Sequence, residues 1–132
     1  MRGVDTNVLL RIVLIDDEKQ AGIARRFTRQ LARQGERLFV TSIALCEFVW
    51  VLQRGYGLSR AQIADALERL LESDLVVAEH DDEAREALRI YRGGRGDFAD
   101  HLIGLQSKSA GCHDTVTFDR DLDGLAGFSL LR

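Results

Sequence analysis

Short β-rich apolar runs alternate with longer segments of helical period along the whole chain, and this alternation restricts the fold more than any other feature. Five runs read as strands: "RGVDT" (2–6), "RLFVT" (37–41), "DLVVAE" (74–79), "HDTVTF" (113–118) and "FSLL" (128–131). The intervening segments are amphipathic. "DDEKQAGIARRFTRQLARQG" (16–35) stripes Ile23, Ala24, Phe27 and Leu31 and stops at Gly35, while "SRAQIADALERLLES" (59–73) opens with Ser59 and Gln62 in capping-box spacing. It stripes Ile63, Leu67, Leu70 and Leu71. "DDEAREALRIYRGG" (81–94) and "DFADHLIGLQSKSAG" (97–111) supply two more helices, the second N-capped by Asp97 and ending at Gly111.

Strands this short and apolar have no wet face, so the expectation is an α/β fold: a mainly parallel central sheet between two layers of helices. In such sheets sites form at the C-terminal strand ends. At 132 residues the chain fits one domain, 1–132, with turns resting on glycine because it contains no proline.

Composition narrows the class. With 45% hydrophobic and 30% charged residues it reads as globular, and no apolar run approaches the roughly 20 residues that span a bilayer. "VLLRIVLI" (8–15) is broken by Arg11. The N-terminus lacks a signal-peptide pattern, and neither Cys46 nor Cys112 belongs to a metal pair or disulfide framework, so reduced thiols and a cytoplasmic location are expected. A net charge of −3 excludes a uniformly basic nucleic-acid wrapper.

The chemistry concentrates in carboxylates. Residues 43–52, "IALCEFVWVL", hold nine apolar positions and one glutamate, Glu47. Burying an unpaired carboxylate costs several kcal/mol, so a buried Glu47 demands a partner. Asp5 ends the first strand, Asp97 and Asp100 share the first turn of a helix with Phe98, Leu102 and Ile103 directed to the core, and Asp119 and Asp121 follow the fourth strand. Each alone also reads as a helix cap or a solvated loop acid. Topology puts three of these groups at one sheet edge, which Glu47 is also expected to face, and several carboxylates in one pocket repel unless a cation neutralises them. An all-oxygen acidic cluster selects Mg²⁺ or Mn²⁺, and such an ion suits phosphodiester hydrolysis; the partner expected for Glu47 is therefore a metal.

In their order and spacing, "VDTNVLL", the helical glutamate of "SIALCEFVWVL", "DFADHLIGLQSKSAGC" and "TVTFDRDL" resemble the PIN domain family, specifically the VapC-type toxins of bacterial toxin–antitoxin pairs. The resemblance covers essentially the whole chain. It implies a Mg²⁺- or Mn²⁺-dependent endoribonuclease acting on structured RNA such as tRNA or rRNA, with a catalytic quartet carried by motif onto Asp5, Glu47, Asp100 and Asp119. Asp97 is expected in the same pocket. Asn7, Ser42, Thr117 and Asp121 are supporting polar residues, although capping and turn bonding would equally explain the first three. The resemblance also implies a homodimer and a small VapB-type antitoxin covering the cleft.

RNA needs a cationic track beside the acids. "RGGRGD" next to Asp97 makes Arg92 and Arg95 the preferred RNA contacts; Arg25, Arg26, Arg29, Arg33 and Arg37, and also Arg89, are further options, with Arg26 and Arg33 read as a solvated face. His101 is peripheral because a metal hydrolase does not require a histidine base, and His80 and His113 carry no motif. The rival of a different class is a catalytically silent PIN-like module that docks a partner's basic segment in its acidic cleft; metal-dependent RNA cleavage separates the two.

Overall fold

Residues 1–14 and 18–132 are described by the computed structural model of the chain. Ile15 of the first apolar segment and the Asp16–Asp17 start expected for the second helix lie outside the described residues. The chain divides into two compact units, Met1–Asp81 and Asp82–Arg132.

In the N-terminal unit the order is β1 (Arg2–Gly3), α1 (Thr6–Val13), α2 (Glu18–Arg33), β2 (Leu38–Val40), α3 (Ser42–Arg54), α4 (Arg60–Glu72) and β3 (Val76–Ala78). The strands pair in parallel with β2 in the middle: Arg2 opposite Leu38 on one side, Leu38 opposite Val76 on the other. Their side chains explain the burial, since Leu38, Val40, Val76 and Ala78 all point inward. Helix α1 packs on α2 and α3, and α4 packs on α3 and β3. The Ser59–Gln62 capping box forms as its spacing predicts, and Ile63, Leu67, Leu70 and Leu71 are all buried. Gly35 stands at φ +67° past the end of α2, where the Glu36 N–H reaches the Leu31 carbonyl at 2.9 Å. That is the six-to-one bond of a Schellman stop.

The C-terminal unit holds α5, which begins at the boundary (Asp81–Arg92), α6 (Phe98–Ser109), β4 (Thr115–Thr117), a 3₁₀ turn at Arg120–Leu122 and β5 (Phe128–Leu130). β4 and β5 pair in parallel, Thr115 opposite Phe128. Tyr91 and Phe98 meet edge to face at 6.4 Å, and α6 rests on β4.

The expected α/β class with parallel strands is thus the observed one, and every nominated strand forms within its nominated run. The strands hydrogen-bond as a set of three and a set of two. Two assignments of facing change. Ile103 is 53% exposed, because α6 buries only Phe98, His101 and Leu102, and Ile23 is 50% exposed because it lines a cavity rather than the core.

Candidate metal and phosphodiester site

The largest departure from expectation is Glu47. It is exposed, not buried. Helix α3 buries Ala44, Leu45, Phe48, Val49 and Leu52, and turns a second stripe outward: Ile43 at 73% exposure, Glu47, Trp50 at 58% and Arg54, whose guanidinium lies 6.0 Å from the Trp50 ring. Positions 43, 47, 50 and 54 recur at helical spacing, so an apolar composition hid a wet face. No desolvation therefore has to be offset, and Thr6 Oγ1 donates to Glu47 Oε1 at 3.2 Å. The motif reading passed over Thr6, although it stands beside Asp5.

Asp5 follows β1 and caps α1, its Oδ1 accepting the Val8 N–H at 3.0 Å. Cap and candidate ligand are the same carboxylate, since a cap occupies one oxygen lone pair and leaves the rest to solvent. Its neighbour in sequence, Thr6, bonds Glu47. Asp5 and Asn7 line a cavity of about 690 Å³ whose other walls include Arg2, Arg11, Gln20, Ile23, Ala24 and Phe27. Ser42 is not the cap of α3; Thr41 is, accepting the Ala44 N–H at 3.1 Å. The Ser42 N–H instead donates to Glu79 Oε1 at 2.9 Å. Glu79, just beyond β3, is a carboxylate that the motif reading did not nominate, signalled only by its place at a strand's C-terminal end.

In the C-terminal unit Asp97 is the N-cap residue of α6, and its N–H donates to Asp100 Oδ2 at 3.2 Å. Asp119 Oδ1 accepts the Asp121 N–H at 2.9 Å, while the Asp119 N–H donates to Thr117 Oγ1 at 3.0 Å. Thr117 therefore braces the backbone of Asp119. Arg95, nominated as an RNA contact, holds a loop in the structure: its Nη2 donates to the carbonyls of Asp121 and Asp123 at 2.7 and 2.9 Å. The Arg95 carbonyl in turn sits 2.6 Å from Nε2 of His101, which is 2% exposed. A carbonyl only accepts, so Nε2 carries the proton. His101, expected to be peripheral to the chemistry, is thus an anchor for this loop. Between them Gly96 stands at φ +72°, and a Cβ there would meet Leu122 Cδ2 at 2.8 Å and the His101 ring at 3.0 Å. The loop before Asp97 and the loop after Asp119 are therefore clamped together.

Asp5, Glu47, Asp97, Asp100, Asp119 and Asp121 share one electrostatic property. Among the described residues none has a lysine, arginine or histidine ion-pair partner; ion pairs elsewhere include Met1–Glu36, Glu86–Arg89 and Asp123–Arg132. All-oxygen donors without a cation fit a hard divalent ion. No three of the described His, Cys, Asp and Glu side chains converge closely enough to form a ready-made metal nest.

The PIN domain family profile matches residues 4–127, a span that crosses both units. A VapC ribonuclease from Aquifex aeolicus (strain VF5) is 33% identical over 120 residues, covering 91% of this chain and 88% of that protein.

Proposed function

The chain belongs to the PIN domain family, and from that premise we propose that it is a Mg²⁺- or Mn²⁺-dependent endoribonuclease of the VapC type, cutting phosphodiester bonds in structured RNA such as tRNA or rRNA. The observation that carries the reading is the set of carboxylates left without a cation, Asp5, Glu47, Asp100 and Asp119, which the family resemblance makes the catalytic quartet. The family resemblance assigns the ion to these four and gives Asp97 a secondary place. A bound divalent ion acidifies a water nucleophile and offsets charge on the phosphodiester.

The chain's own groups do the positioning. Thr6 aims Glu47, the α1 cap fixes Asp5, the Asp97 N–H fixes Asp100, and Thr117 with the Asp121 N–H fixes Asp119. Partners of this kind set ligand orientation, and their loss typically costs 10–100-fold in metal affinity or activity. His101, engaged with the Arg95 carbonyl, is not a general base in this scheme. A VapB-type antitoxin, a homodimer and a cytoplasmic location belong to the same reading; outward Ile43 and Trp50 on α3 support a partner-facing surface. No helix among the described residues is long and apolar enough to cross a membrane.

The test is incubation of purified tRNA and rRNA with the chain in Mg²⁺, Mn²⁺ or EDTA, with Asp100→Asn prepared in parallel to expose contaminating nuclease. Discrete fragments that disappear with EDTA and with the variant are expected. Absence of cleavage with metal present would overturn the reading in favour of an acidic docking module.

A further inference from the structure

Helix α2 carries Arg25, Arg26, Arg29 and Arg33, and its one acid is Glu18 in the first turn. Arg26, Arg29 and Arg33 recur at i, i+3 and i+7, which places them on one face, where with Gln30 they line a shallow groove of about 500 Å³. All three are exposed, and among the described residues none makes a hydrogen bond or ion pair through its side chain. Most of the chain's other arginines are engaged. Arg2 lies over the Phe27 ring at 5.4 Å, and Arg11 donates to Gln20. Arg37 reaches the carbonyls of Asp74 and Val76, Arg89 forks onto Glu86, and Arg95 clamps two carbonyls.

A row of like charges without an intervening acid destabilises its own helix, and solvated surface helices usually interleave the two signs, as Glu86 and Arg89 do on α5. The row also opposes the chain's net charge of −3. We infer that this face of α2 is the track on which the phosphodiester backbone of the RNA substrate lies, an assignment that rests on the nuclease reading above. From Arg26 to Arg33 the helix rises about 10 Å at 1.5 Å per residue. A nucleic-acid strand advancing roughly 3.4 Å per phosphate offers about three phosphates over that length. The adjoining face of the same helix, through Ile23, Ala24 and Phe27, walls the cavity that Asp5 lines, so a strand on the arginine row runs beside that carboxylate. The groove has no apolar anchor of the kind a protein interface centres on, which favours a phosphate backbone over an acidic protein segment.

The experiment measures binding of fluorescently labelled bulk tRNA to the full chain in EDTA, between 50 and 200 mM KCl, followed by steady-state cleavage with Mg²⁺. The proteins are the parent, R26Q/R29Q/R33Q, the corresponding triple lysine variant, and Arg69→Gln on α4 as a surface control. Neutralising three phosphate contacts should lower the magnitude of the log–log salt slope by about 2–3. KM should rise at least tenfold with kcat within twofold. The lysine variant should retain most of the slope and Arg69→Gln all of it. If the parent binds and cleaves while the glutamine variant keeps both slope and KM, the track is overturned and the nuclease reading stands. A parent that binds tRNA through these arginines but cleaves nothing with metal leaves the track in place and removes the nuclease reading. A parent that binds no tRNA, yet binds polyglutamate in a manner lost in the glutamine variant, overturns the track in favour of an acidic protein partner.

Discussion

Thr6 bonds the carboxylate of Glu47, so it governs the aim of that charge. Glu47→Gln should raise the metal-free melting temperature by roughly 2 °C, the equivalent of about 0.5 kcal/mol of relieved repulsion. It should also abolish the further rise that Mg²⁺ gives the parent; thermal melts with and without Mg²⁺ check both, and an unaltered Mg²⁺ response would remove Glu47 from the ligand set. Thr6→Val should lower cleavage about 10-fold or more while leaving the fold intact, read from kcat/KM against the circular dichroism spectrum. At Cys46 burial pushes the thiol's pKa up, so less thiolate is present at any given pH; Cys112 is exposed. Iodoacetamide at pH 8 should therefore label Cys112 first, which peptide mass spectrometry reads directly. Residue identity was legible in the sequence, but residue environment was less so. The motif order nominated Glu47, yet the inference that it was buried failed because apolar neighbours along a chain do not reveal which helical face meets water. Thr6 and Glu79 escaped notice because a hydroxyl and a lone strand-end acid carry no pattern of their own.

Helices and strands were far more legible, and for a physical reason: each boundary rests on local chemistry. Ser59 and Gln62 start α4, Gly35 stops α2, and Asp97 starts α6, each through bonds within a few residues. Ser59→Ala should cost about 1 kcal/mol, seen as a lower urea midpoint with an unchanged slope. Gly96→Ala should cost more, about 1–3 kcal/mol by the same measurement, because it combines a left-handed backbone with a methyl group forced against Leu122 and His101. What could not be read locally is the clamp itself. Arg95 lies 26 and 28 positions from the carbonyls that it holds, and "RGGRGD" on the page looks like a flexible basic loop. The outward turn of Ile103 belongs to the same class, since the pattern of α6 cannot say how far the buried arc extends.

For the molecule as a whole, the alternation of short strands and amphipathic helices led to the α/β class and parallel pairing, while the division at Asp81–Asp82 had no linker signature: no proline or glycine run marks it, and the acids around it, Asp81, Asp82 and Glu83, read as the start of a helix. The residue just before it, His80, adopts φ +51°, a conformation that histidine enters more readily than most side chains. The PIN match runs through that point without interruption. With both cysteines free, no covalent cross-link restrains the unfolded chain, so the melting temperature should be the same within about 1 °C with and without a reductant. A reductant-sensitive transition in differential scanning calorimetry would contradict that assignment.

The contacts among His101, Arg95 and the carbonyls of Asp121 and Asp123 make two sequence-distant loops, one basic and one acidic, a single inherited part. A graft of residues 92–97 from a relative would arrive without the backbone that receives its arginine unless residues 119–124 came with it. Exchange of both segments together should preserve function, and exchange of either alone should not. Variation in this corner of the molecule is therefore expected to be accepted in pairs, with the histidine beneath as the fixed point.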